Sequence, residues 1–155
     1  MTYKSVNPYT NETFNEYQNA SSKEIESALQ MAADLAHTWE SESRSKRAEI
    51  LHTVANQLRA QKSSMAEIMT QEMGKLIGES EEEVSLCASI ADYFADHADE
   101  FLEPTEIETT GASANVLKQA LGPILACEPW NFPLYQVMRI LSLIHISEPT
   151  RPEPI

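Results

Sequence analysis

From Ser21 to Leu102 apolar residues return every three or four positions, the spacing of helices that bury one face. The first helix opens on a capping box, with Ser21 offering its hydroxyl to a free backbone amide and Glu24 reaching back three residues later. Ile25, Ala28, Leu29, Ala32, Leu35, Ala36 and Trp39 then mark one face as core. A second helix is predicted from about Ser43 to Met73, with Ile50, Leu51, Val54, Leu58, Met65, Ile68, Met69 and Met73 inward and Gly74 as a left-handed cap. A third is predicted from about Lys75 to Leu102, burying Leu76, Ile77, Val84, Cys87, Ile90, Ala91, Phe94, Ala98 and Phe101. Glu79, Glu81, Glu82 and Glu83 crowd its first turns, where the positive end of the helix dipole favours them. Without an interleaved His or Cys, they read as a solvated helix start rather than a metal site.

The flanks change period. Asn7-Pro8 and Thr10-Asn11 supply turn chemistry within residues 5–17, which predicts a small hairpin. Pro104 ends the helical part, and residues 105–118 read as two extended segments joined by a turn at 110–113. Leu121 to Cys127 is a short apolar run bounded by Gly122-Pro123 and Glu128-Pro129, the pattern of a buried parallel strand. Phe132 to about Ile140 can form a helix, with Pro133 tolerated in its first turn.

At 155 residues, with 42% hydrophobic and 23% charged positions, the composition is that of about one globular domain. The formal net charge of -13, from 24 acidic against 11 basic residues, argues against nucleic acid or an anionic membrane as partner. No apolar stretch reaches the roughly 18 residues of a membrane span. The N-terminus lacks the apolar core of a signal peptide, so a cytoplasmic location is expected. Cys87 and Cys127 have no metal-ligand or redox spacing and read as buried free thiols.

The segment Gly122-Pro123-Ile124-Leu125-Ala126-Cys127-Glu128-Pro129-Trp130-Asn131-Phe132-Pro133 concentrates the chemistry. A side-chain amide at the carboxyl end of a strand is placed to donate to a developing oxyanion, although Asn131 could also simply cap the helix that follows. The segment resembles the Pro-Trp-Asn-Phe-Pro signature of the aldehyde dehydrogenase superfamily, and its surroundings resemble the succinate-semialdehyde dehydrogenase branch. Thr70-Gln71-Glu72-Met73-Gly74-Lys75 is similar to a helix junction of the family, and Val6-Asn7-Pro8-Tyr9-Thr10-Asn11-Glu12 to its N-terminal strand pair. The likeness covers about residues 3–140. It implies an α/β fold, present here as a truncated N-terminal part that is largely helical and holds the first strand of the dinucleotide-binding domain.

The resemblance also implies roles. Asn131 would be the oxyanion donor, and Cys127, Glu128, Pro129 and Trp130 would run beside the ribose and nicotinamide of NAD or NADP. Phe132, Gln136 and Arg139 would contact substrate. An arginine fork at position 139 would pair with the distal carboxylate of succinate semialdehyde, the alternative being an ordinary surface arginine. The implied partner is a small-molecule aldehyde, the whole enzyme is expected to be a homo-oligomer, and no metal is expected. Beyond Ile140 the pattern stops. Leu141 to Arg151 resembles the in-frame translation of a transposase sequencing adapter, so residues 1–140 are expected to form the native region and 141–155 a non-native tail. The nucleophile and glutamate base of the family find no counterpart in these residues, so the chain by itself is expected to be inactive. A rival reading makes it a free-standing helical interaction module derived from the same family.

Overall fold

A computed structural model describes residues 2–41, 43–118 and 122–146. The chain opens on an antiparallel hairpin of β1 (Thr2–Val6) and β2 (Thr13–Gln18), as the turn residues predict. Asn7 Oδ1 accepts from the backbone amides of Tyr9 and Thr10, and Asn11 takes the left-handed φ of 59° that closes the turn. Helix α1 (Ser22–Ser41) begins at the predicted capping box, with Ser21 and Glu24 exchanging hydrogen bonds of 2.7–3.3 Å. Its supposed core face is not buried: Ile25, Leu29 and Leu35 are all exposed. Periodicity identifies an apolar face, but only a neighbouring element can cover it.

The expected second helix is two, α2 (Arg44–Ala60) and α3 (Lys62–Met73), broken at Gln61. The third is likewise α4 (Ile77–Asp96) and a short α5 (Ala98–Leu102), broken at His97. The apolar spacing runs on across each break, so the pattern gave no sign of it. Gly74 ends α3 at φ 73°, the predicted left-handed cap. Leu76, Ile77 and Ile68, expected inside, are exposed. Beyond α5, β3 (Thr105–Ile107) and β4 (Ala114–Val116) form the second predicted hairpin.

The run from 121 to 127 is the main departure. Leu121 lies outside the described residues, and Gly122 to Glu128 forms no strand. A parallel strand needs a neighbour to take its amides and carbonyls, and among the described residues the two hairpins pair only within themselves. Leu125 is 91% exposed, and Cys127 is exposed rather than buried.

The last described helix, α6 (Pro133–Ile146), continues past the expected stop at Ile140. It packs against α4 and α2 through Leu134, Tyr135, Met138 and Leu141. The core therefore lies where α2, α3, α4 and α6 meet, around Leu51, Leu58, Met69, Val84, Cys87, Ala91 and Met138. Side chains of His52, Arg59 and Asp92 brace α2 to α4 at the edge of this core. Burial works against the Asp92 carboxylate, but hydrogen bonds from Arg59 and His52, and their charges, hold its carboxyl below the usual range.

Candidate functional site

The start of α6 poses a hydrogen-bonding problem. Phe132 occupies the cap position, its carbonyl accepting from the Gln136 amide at 3.0 Å, and its side chain has nothing polar to offer. Pro133 has no amide hydrogen. The amides of Leu134 and Tyr135 are then the free donors of the first turn. Both donate to one atom, Glu83 Oε1 on α4, each at 3.0 Å.

Glu83 is therefore not part of a solvated helix start. Its side chain is 1% exposed, and its second oxygen accepts from the ammonium of Lys75, itself 7% exposed. The same Lys75 Nζ lies 3.9 Å from the centre of the Phe132 ring, a close cation–π contact. Burying two charges costs several kcal/mol per ion. Here the carboxylate recovers that cost through two backbone amides, the positive end of a helix dipole and its cation. Glu83 and Lys75 were missed as site-forming residues. The signal was present: Ser80, Glu83, Cys87 and Ala91 share the helical spacing of the buried face.

With its amides satisfied by Glu83, α6 needs no capping help from Asn131. That residue lies exposed in the turn before the helix, and its side chain makes no hydrogen bond within the described residues. Helical rotation of 100° per residue puts Phe132, Gln136 and Arg139 within about 60° of one another, on a single stripe of α6. Phe132 and Arg139 are exposed there, and Gln136 is half-buried. Tyr135 links them: its ring meets Phe132 edge-on at 6.3 Å, and the Arg139 guanidinium sits 6.0 Å from its centre. The structure thus brings Phe132 and Arg139 together around Tyr135, with Gln136 on the same stripe and Asn131 at its foot.

Cys127, Glu128, Pro129 and Trp130 form the approach to that turn. Cys127, Pro129 and Trp130 are exposed, while Glu128 Oε1 is buried without a hydrogen-bond partner. Trp130 also lines an apolar groove of about 660 Å³ with Met65, Ile68, Met69, Pro133 and Leu134. None of Asn131, Phe132, Gln136 or Arg139 lines it. Cys87 is not built as a nucleophile, since burial, with the Glu83 charge adding to it, pushes it up to about 12, whereas Cys127 is exposed on the approach segment.

Residues 1–144 match the aldehyde dehydrogenase family model. The chain belongs to the aldehyde dehydrogenase family. Among its relatives, it is 38% identical over 137 residues to the NADP⁺ succinate-semialdehyde dehydrogenase of Deinococcus radiodurans, covering 88% of this chain and 29% of that protein. It is 41% identical over 137 residues to the NAD(P)⁺ succinate semialdehyde dehydrogenase of Escherichia coli, covering 87% and 29%. The crystal structure of succinic semialdehyde dehydrogenase from Streptococcus pyogenes in complex with NADP⁺ superposes with a TM-score of 0.91 at 46% identity, over 95% of this chain and 32% of that one. The helices and hairpins described above are thus the N-terminal part of an aldehyde dehydrogenase fold, and the chain spans about a third of the length of these relatives.

Proposed function

We propose that the whole protein is an aldehyde dehydrogenase that oxidises succinate semialdehyde to the dicarboxylic acid with NADP⁺ or NAD⁺. Its relatives carry those names, and the observation that supports a working site is the Asn131 turn. The asparagine amide is exposed and unspent on the helix, and Arg139 follows two turns along the stripe that begins at Phe132. In this reading Asn131 Nδ2 donates to the aldehyde oxygen as negative charge develops on it. Arg139 pairs with the far carboxylate, which fixes the direction in which the substrate lies. Phe132 and Gln136 line the space between.

The segment from Cys127 to Trp130 fits a dinucleotide in two respects. It is not committed to a sheet, and Glu128 offers a buried acceptor oxygen without a partner, suited to a hydroxyl group. When bound, the nicotinamide supplies the hydride acceptor. The proposal extends to a cytoplasmic homo-oligomer, to residues 141–155 as a non-native tail whose first six residues continue α6, and to the chain alone being inactive. The DNA sequence across codon 141 checks the tail, since non-adapter codons there would overturn it.

The function is tested in a chimera whose N-terminal third is residues 2–140 of this chain, joined to the remainder of the Streptococcus pyogenes enzyme. Charge-assisted hydrogen bonds contribute roughly 1.5–3 kcal/mol each. Arg139→Ala is therefore expected to lower kcat/KM for succinate semialdehyde about tenfold to a hundredfold, and to leave butanal little changed. Asn131→Ala is expected to lower kcat about 10²–10³-fold on both aldehydes. Equal losses on both aldehydes in the Arg139 variant would remove the carboxylate clamp. A chimera without turnover, together with a monodisperse 155-residue monomer, would favour the interaction module.

A further inference from the structure

We infer that the buried Lys75–Glu83 pair is a positioning device for Asn131 and Phe132, an inference that rests on the oxyanion role proposed for Asn131. The argument starts from which group caps α6. Asparagine is among the best residues for taking first-turn amides, and Asn131 lies three residues before Leu134, the reach of a side-chain cap. If the Leu134 and Tyr135 amides were free, the Asn131 side chain would be drawn onto them and its donor turned away from substrate. Glu83 Oε1 removes that alternative by occupying both amides at 3.0 Å.

Lys75 completes the device from a third direction. It holds the other carboxylate oxygen, so Glu83 cannot swing away, and its ammonium rests 3.9 Å from the centre of the Phe132 ring. The residue after Asn131 is thereby pinned by its ring, and the two residues after Pro133 by their amides. Asn131 is held at the edge of a fixed frame, with its own side chain left over for chemistry. The frame is assembled across the fold, because Lys75 follows the left-handed Gly74 cap of α3 and Glu83 comes from the buried face of α4. A misplacement of about 1 Å at a reacting group can cost on the order of 10²-fold in rate.

The test uses the chimeric enzyme with succinate semialdehyde, with rates expressed per folded active site. Glu83→Ala is expected to lower kcat about 10- to 100-fold while changing KM less than about threefold, because Arg139 still binds the carboxylate. In the Asn131→Ala background the same substitution is expected to cost no further kcat, since there is no amide left to misplace. The Glu83→Gln/Lys75→Met double variant is expected to fall between the parent and Glu83→Ala, because the hold of Lys75 on the Phe132 ring is lost while the two amides keep an acceptor. Its Gln oxygen still accepts from both amides, and no cation is left buried without a partner. Should Glu83→Ala not fold, Glu83→Asp withdraws the acceptor by one methylene and is expected to lower kcat in the same Asn131-dependent way. Parental kcat in a folded Glu83→Ala or Glu83→Asp enzyme, or an equal loss with and without Asn131, overturns the inference. So does a double variant as slow as Glu83→Ala or as fast as the parent. A parental kcat in Asn131→Ala would instead overturn the oxyanion reading beneath it.

Discussion

Met138 and Val137 are neighbours on α6 with opposite surroundings, and exchanging each for alanine tests how the helix is held. Met138 is 2% exposed and belongs to the core cluster with Leu51, Val84 and Cys87, whereas Val137 is 47% exposed. Met138→Ala removes three side-chain heavy atoms from the junction of α6 with α2 and α4. At about 0.8 kcal/mol per buried group the transfer loss is roughly 2–2.5 kcal/mol. Any gap that fails to close adds to it at about 24 cal/mol per Å³, which brings the loss into the roughly 2–5 kcal/mol usual for such truncations. Val137→Ala exposes little new surface and should stay within about 0.5 kcal/mol. Urea unfolding of the 155-residue chain, followed by circular dichroism at 222 nm, reads the difference. With a slope of about 1–3 kcal/mol per molar urea, Met138→Ala should lower the midpoint by at least about 0.7 M at unchanged slope. A shift under about 0.3 M, or one matched by Val137→Ala, would refute the claim that Met138 anchors the helix carrying the site.

Two further outcomes follow from the titrating groups. With its pKa near 12, Cys87 should hold only about 10⁻⁴ of its thiol as thiolate at pH 8, so in a Cys127→Ser variant a thiol reagent should stay unreacted until denaturant is added; rapid labelling of the native variant would show Cys87 to be accessible. The folded-state pKa of Asp92 lies below its unfolded value, so its contribution to stability is complete above about pH 4 and is lost as pH falls through the folded pKa. Asp92→Asn should therefore flatten the fall of the urea midpoint below about pH 4, and an unchanged pH slope would show that the bracing of α2 to α4 does not depend on this carboxylate.

The capping box at Ser21, the Asn7 turn, the Gly74 cap and the hairpin across 110–113 were legible because each is decided within a few residues. A hydroxyl meets an amide three positions away, or a backbone φ is set by a single glycine. The stripe of Phe132, Gln136 and Arg139 was legible for a similar reason, since helical rotation alone aligns those positions. Burial was not. Leu51 and Leu29 sit in equally good amphipathic patterns, yet Leu51 is buried and Leu29 is 60% exposed. The pattern states which face is apolar, and only packing states what covers it. The run after Leu121 shows the same division, since strand-forming residues make a strand only where another strand accepts their hydrogen bonds. Glu83 shows it in reverse. Four acids crowded into the first turns of one helix look alike along the chain, and only the arrival of α6 and Lys75 from elsewhere in the fold singled out one carboxylate for burial. The sequence by itself determined where helices, turns and the Asn131 signature lie, because those depend on near neighbours. Tertiary structure decided which charge was worth desolvating, because that depends on partners brought together from 8 to 52 residues away.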